Sequence, residues 1–438
     1  MRSLVVGATA ATAALNLAPT PARALDLDSD GGLITDTVAS RDRLGTYDSS
    51  KKYGAERVSD RDRGYAQPEG LRAGNYLIFP TIGTAVVYDD NIFATDVERV
   101  SDFRTEITPG LRFQSALPRH VLDLSLDGKI VNYLDNPDQD YASASARLDG
   151  ALHFDHAHTL SLGALAALEH EERSDITSPR DAREPVAVHH TRVIAGVTRD
   201  VGRLYGTVSA SVDRWDYQDT VSGAGVPLDQ DSRDLDLLSA QLKLGYRFSP
   251  GYEIVGKIRA LKQWNRGDAV TDYDGIGYEA MAGVAFETNP LVRWRLLGGY
   301  GLRDYEQATI DSIASSLVEG QVQWLATQRM TIYGAVSRAI VDRVGSEVGG
   351  RVETLARGKL EYELQHNIVL TLDGEFKDSD FIGAARHDRS WSAKVGLDYY
   401  LTKNWLFTFG YEYQRRDSNN ADFDLTRNRF TVGAKLRF

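Results

Sequence analysis

The chain has 438 residues, 42% of them apolar and 26% charged, a globular balance rather than a disordered one. It contains no cysteine, which rules out disulfides, cysteine nucleophiles, thiolate zinc sites and iron–sulfur clusters. A formal charge of −12 argues against general affinity for nucleic acid, because phosphate binding needs a basic face.

The first 24 residues read as an export signal. Arg2 supplies positive charge, Ser3 to Ala18 is an apolar stretch broken by one Asn, and Ala22-Arg23-Ala24 is an A-x-A cleavage site. Residues 25–73 are polar and charge-dense, as in Asp26, Asp28, Asp30, Arg41-Asp42-Arg43 and Asp60-Arg61-Asp62-Arg63. Such a segment has no core of its own and reads as a largely irregular periplasmic arm. After the leader no run of 18 or more apolar residues occurs, so no membrane-crossing helix is encoded.

Over residues 74–438 period-2 alternation takes over. Leu122, Leu124, Leu126, Gly128 and Ile130 alternate with Asp123, Ser125, Asp127 and Lys129. The same pattern runs through Ala356–Leu364 and Ile368–Phe376. These two-faced runs reach the about 9–11 residues of a tilted membrane-crossing strand, beyond the about 5–6 of soluble sheets.

Short turn signals recur at Leu117-Pro118, His156-Ala157-His158, Val201-Gly202, Ser249-Pro250-Gly251, Asn289-Pro290, Thr327-Gln328, His366-Asn367 and Lys403-Asn404. Longer polar stretches, such as Ser174 to Val188 and Gln218 to Ser232, fall between them. Short turns on one side and long loops on the other describe an outer-membrane barrel. Eight hairpins plus a first and a last strand predict about 18 strands, all-β, antiparallel and up-and-down, with both termini periplasmic. Aromatics including Trp215, Tyr217, Tyr305, Trp324, Tyr400 and Trp405 are expected at strand ends or on the apolar face.

The chain ends in Phe430, Val432, Ala434, Leu436 and Phe438, alternating to a terminal aromatic. Gly433, Leu436 and Phe438 fit the insertion motif read by the barrel-assembly machinery. Closure is obligatory, because unpaired backbone groups cost several kcal/mol each in hydrocarbon.

Asp60, Arg61, Arg72 and Gly74, followed by Tyr88-Asp89-Asp90-Asn91-Ile92, resemble the entry motif of the putative beta-barrel porin 2 family. The resemblance implies an outer-membrane channel that exports a polysaccharide of exopolysaccharide, capsule or holdfast type; the residues themselves, with no recognisable nucleophile–histidine arrangement and no phosphate-cradling loop, predict neither enzymatic activity nor a cofactor. Its implied partners are outer-membrane lipid and lipopolysaccharide, the polymer itself and a periplasmic polysaccharide-export protein. The residues by themselves leave open a general or solute-specific diffusion porin, and a structural barrel or adhesin.

The functional surface expected from alternation is the lumen. Its candidates are Asp123, Asp127, Lys129, Arg147, Asp149, Lys257, Arg259, Arg293, Arg295, Arg357, Lys359, Glu361, Asp373, Glu375 and Lys377. Both signs occur, so no strongly ion-selective ring is indicated. His153, His156 and His158, His189-His190, and Glu169-His170-Glu171-Glu172 are read as solvated rim residues rather than metal or catalytic groups. Asp89 and Asp90 are read as turn formers rather than cation ligands. The arm at Asp60–Arg72 could dock a periplasmic partner or fold into the lumen as a plug, and a plain disordered linker is an equally open reading.

Overall fold

The structure is a computed structural model that describes residues 57–59, 61, 63–266, 273–289, 291–307, 310–342 and 350–438. The expected export signal, the arm up to residue 56 and Asp60 lie outside the described residues.

Eighteen long strands form the body. They are β1 (Tyr76–Asp89), β2 (Asp102–Ser115), β3 (Val121–Tyr133), β4 (Tyr141–His153), β5 (His158–His170) and β6 (Ala187–Val201). Next come β7 (Leu204–Tyr217), β8 (Leu235–Ser249), β9 (Tyr252–Asn265), β10 (Gly275–Asn289), β11 (Val292–Tyr305) and β12 (Ile313–Thr327). The last six are β13 (Met330–Asp342), β14 (Gly350–Gln365), β15 (Ile368–Ile382), β16 (His387–Tyr400), β17 (Trp405–Ser418) and β18 (Leu425–Arg437). Consecutive strands pair antiparallel, and β1 pairs with β18, which closes the sheet. Among the described residues there is no α-helix, only four single 3-10 turns. The eight short turns fall where the sequence places them, and both barrel strand ends, Tyr76 and Arg437, lie on that side.

Alternation sets which face meets what. Val193, Val197, Val208, Val212, Ile254 and Ile258 stand outward, and Val208 is 63% exposed, which water would penalise and lipid does not. Near the short turns the outer face carries an aromatic belt, with Phe248, Tyr252, Phe286 and Trp294 in successive ring contacts of 4.5–6.0 Å.

Of the two placements expected for the aromatics, three tyrosines take the strand end and not the apolar face. Tyr217, Tyr305 and Tyr400 are buried and face inward rather than toward the membrane. Each sits at the end of a strand with inward parity and packs on segments that enter the barrel from its mouths.

Between Gln67 and β1 the chain makes a small hairpin. Leu71–Ala73 pairs with Tyr76–Ile78 around Gly74, whose φ of +61° favours glycine. The short strand covers the edge of β1 below Thr81, where β18 has ended.

Candidate functional site

The inward face of the wall holds the charged residues. Asp123 and Asp149 are cross-strand partners on β3 and β4, as are Ser125 and Arg147, and Asp127 and Ser145. Arg259 stands opposite Glu279, Arg293 opposite Gln323 and Arg295 opposite Gln321. Arg357 faces Glu375, Lys359 faces Asp373, and Lys377 shares their face on β15.

Most of these charges are paired along the wall. Arg147 lies 3.0 Å from Asp149, Lys129 3.4 Å from Glu106, Arg259 3.8 Å from Glu279, Arg357 3.2 Å from Asp373 and Lys359 2.8 Å from Glu361. Lys257 pairs with Glu319 two strands beyond its neighbour. Sign thus alternates over a few ångströms, and the lining is polar without a dominant charge.

At the β18–β1 seam the Tyr-Asp-Asp-Asn motif locks the barrel. Asp89 is wholly buried and accepts from Arg427 at 2.9 Å, with Arg104 3.6 Å away. Asp90 accepts from the Asn428 backbone at 2.6 Å and from its amide at 2.7 Å. The Asn91 N–H donates to Asp89 at 3.0 Å, the Asx turn expected, and the Asn91 amide donates to Thr426 O across the seam at 2.9 Å. On the outer face Tyr88 packs on Phe103 and Phe430 at 5.0 and 6.5 Å. At the other end Gly433 lets β18 approach β1 closely, since a Cβ there would meet Ala85 at 3.2 Å. Leu436 pairs with Ile82, and the Phe438 N–H donates to Pro80 O at 3.2 Å.

The loop between β5 and β6, residues 171–186, folds into the outer mouth. Glu172 reaches Arg429 at 3.0 Å and Arg427 at 3.5 Å, across from its own strands. Burial pushes its pKa up, but Arg429, Arg427 and Arg104 outweigh that and hold the carboxyl well below the ordinary range. Glu171 pairs with Arg233, Arg416 donates to Ser174 O at 2.9 Å, and Arg180 donates to Ala94 O at 2.7 Å. Glu171, buried, and Glu172, half-buried, are therefore ion-pair partners, not the solvated rim residues expected. Helix-free sequence with a run of four polar residues gave no sign that their partners lie some 60 to 257 positions away.

A second intrusion is the outer end of β13–β14. The β12–β13 ladder stops at Val318 and Arg338. Beyond it Ile340 and Val352, whose parity would aim them at lipid, pack with inward-facing Val255, Met281, Leu297 and Leu317. Asp342 meets Arg303 at 2.7 Å, and Arg303 also holds Glu279 at 2.6 Å. The hairpin end thus leans into the barrel, beside a cavity of about 170 Å³ lined by Lys257, Arg259, Glu279 and Ile340 among others.

The arm enters the opposite mouth. Val58 and Ala66 are buried with Val369, Tyr400 and Leu406 on the inner wall. The Val58 N–H donates to Thr331 Oγ1 at 3.0 Å, Arg61 pairs with Glu363 at 2.6 Å, and Arg437 donates to Ala66 O at 3.1 Å. Arg63, 2% exposed, lies over the Tyr400 ring at 4.9 Å and donates to Val58 O at 2.7 Å. Arg72 remains exposed on the small hairpin.

The histidines do not converge. His158 pairs with Asp155 at 2.9 Å, His153 meets Thr159, His170 meets Ser143, and His190 stacks on Trp215 at 4.8 Å. Among the described residues the only group of three candidate metal ligands within 4.8 Å is Asp219, Asp229 and Asp231, exposed and without histidine.

Comparison with known proteins gives one family match, the model described as Putative beta-barrel porin 2, over residues 64–438. No curated protein matches the sequence. Solved structures similar in shape include OccK2 (OpdF) of Pseudomonas aeruginosa in complex with glucuronate, at 11% identity and a TM-score of 0.46, covering 84% of this chain and 100% of that one. OccAB4 of Acinetobacter baumannii follows at 12% identity and 0.44, covering 86% and 100%. The outer membrane protein OpdK of Pseudomonas aeruginosa stands at 13% and 0.41, covering 82% and 99%. With a closed eighteen-strand barrel and a family match across nearly all of it, this chain belongs to the putative beta-barrel porin 2 family and is an outer-membrane β-barrel porin.

Proposed function

We propose that the barrel is a passive diffusion channel for small hydrophilic solutes. The observation that carries this reading is the narrowing of one lumen from both mouths by the chain's own segments. The arm stands at the periplasmic side, and the 171–186 loop with the β13–β14 hairpin end stands at the outer side. A barrel of 16–18 strands encloses an aqueous channel, and these segments set what fits through it. Solute moves down its gradient with no chemical step, past paired charges of both signs that keep it hydrated. The fifteen lumen-lining candidates supply that polar wall, with Arg259 the most loosely paired of those measured, at 3.8 Å.

Planar bilayers containing the purified protein should show steady currents that scale with salt and discriminate weakly between cations and anions. Liposome swelling should fall off with increasing sugar size. No current under any condition would favour a structural barrel or adhesin instead.

A second reading is export of a polysaccharide together with a periplasmic polysaccharide-export protein. The placement of the arm favours it, because its described residues sit inside the mouth that such a partner would dock against, with Arg61 paired to Glu363 there. Gene deletion with plasmid complementation, scored by surface and released polymer, separates the two. Loss of polymer supports export, and unchanged polymer leaves the solute channel.

A further inference from the structure

The cavity beside the leaning hairpin carries unsatisfied polar groups. A straight β13 would send Ser337 to the lumen and Arg338 to lipid, since neighbours in a strand point to opposite faces. The β12–β13 ladder ends at Val318–Arg338, and as the strand leaves the wall both residues line the same cavity of about 170 Å³. Ser337 is 1% exposed, and its Oγ is buried without a hydrogen-bond partner, as is the Arg338 Nε. The Arg338 guanidinium donates to Thr354 Oγ1 at 2.8 Å and, among the described residues, meets no carboxylate. Folded proteins leave few buried polar groups in that state.

The charges of the lining leave room for an anion. Four cations, Lys257, Arg259, Arg303 and Arg338, stand with three carboxylates, Glu279, Glu319 and Asp342. Lys257 pairs with Glu319, and Arg303 takes both Glu279 at 2.6 Å and Asp342 at 2.7 Å. Arg259 reaches only the engaged Glu279, at 3.8 Å. Another part of the lining is apolar, with Met281, Leu317 and Ile340 all buried. A cavity of about 150 Å³ takes a benzene-sized molecule, so this one has room for a body of about six carbons.

We propose that this cavity binds a small monocarboxylate with an apolar body. The carboxylate accepts from the Arg338 guanidinium and the Ser337 hydroxyl, and the chain lies on Met281, Leu317 and Ile340. The proposal deepens the channel reading above and rests on it for access, since the ligand arrives from the lumen. It makes the hairpin end a selecting element as well as a narrowing one.

Hexanoate is the probe, titrated calorimetrically into the purified full-length barrel in detergent. It should bind saturably at one site per chain, with affinity rising about fourfold per CH2 from butanoate to hexanoate. Hexan-1-ol and hexylammonium bring the same body without the negative charge and should not bind saturably. Arg338→Gln should weaken hexanoate about tenfold or more, whereas Arg338→Lys should keep most of the affinity. Ser337→Ala should weaken it severalfold without lowering the melting temperature, because its hydroxyl has no partner to lose, so misfolding does not account for the loss. Protein that runs as a folded barrel on unboiled gels yet shows no saturable hexanoate binding overturns the site. So do equal affinities in wild type and all three variants, or equal binding of hexan-1-ol. Steady bilayer currents without hexanoate binding leave the channel and remove the site. Hexanoate binding that the variants weaken, in protein that passes no current, keeps the site and removes the channel.

Discussion

Two junctions of the same sheet are built in opposite ways. Where β18 meets β1 the ladder runs from Thr81–Arg437 to Asp89–Arg429 and is then fastened by Asp89, Asp90 and Asn91. Where β12 meets β13 pairing stops at Val318–Arg338, and the outer end of β13 leaves the wall for the lumen. The first junction joins the two ends of the barrel chain and gets no help from a connecting turn. Side-chain bonds of high sequence separation do the work a hairpin does elsewhere. The second junction is tied at its base by the turn at Gln328–Arg329, so its outer end is free to trade ladder bonds for apolar contacts with Val255, Met281 and Leu317.

The largest expected effect is at the seam. Arg427→Ala leaves Asp89 buried without its main partner and should cost about 3–5 kcal/mol, because the charge loses its compensation but not its burial. Replacing both, Asp89→Leu with Arg427→Met, should be closer to wild type than either single change. Loss of heat-modifiable mobility on unboiled gels, followed with temperature, measures this. Single and double variants that melt alike would show the pair is dispensable to closure.

Next comes the hairpin. Ile340→Ala empties a site beside an existing cavity and should cost about 2–5 kcal/mol. Val336 has the same parity two pleat repeats earlier but still faces outward, 37% exposed, and Val336→Ala should cost less than half as much. The pair of variants tests where the strand leaves the wall. Similar melting losses would place Ile340 in lipid and undo the inward lean. If the lean is right, Ile340→Ala should also raise channel noise, because the hairpin end borders the lumen.

This contrast also marks what a sequence discloses. Parity, turn spacing and strand length depend on neighbours in the chain, so the eighteen antiparallel strands and their short turns were legible. The Tyr-Asp-Asp-Asn run was legible as a turn, but its bonds to Arg427 and Asn428 were not, since those partners lie 338 positions away. Ile340 and Val352 obey the lipid pattern and still turn inward, because the packing that captures them comes from β9–β12. Glu171 and Glu172 read as rim residues for the same reason: their cations arrive from loops and strands elsewhere.

The smallest of these effects is a pH response that sets the outer loop against the seam. Glu172 belongs to residues 171–186, outside the wall strands, and its carboxyl is held below the ordinary range by Arg429, Arg427 and Arg104 against the opposing pull of burial. A depressed folded pKa means that its contribution is fully present above the unfolded value of about 4.3 and is lost as pH falls through the folded value. Acidification below about pH 4 should therefore loosen the loop's hold on Arg427 and Arg429, a charge-assisted contact of about 1.5–3 kcal/mol. Glu172→Gln should show the loosened behaviour already at neutral pH and little further change on acidification. Conductance fluctuations and limited proteolysis within 171–186, followed from pH 7 to 3, measure both. If Glu172→Gln and wild type respond alike across that range, Glu172 is not what anchors the loop, and the outer mouth is held by Glu171–Arg233 and Arg416–Ser174 instead.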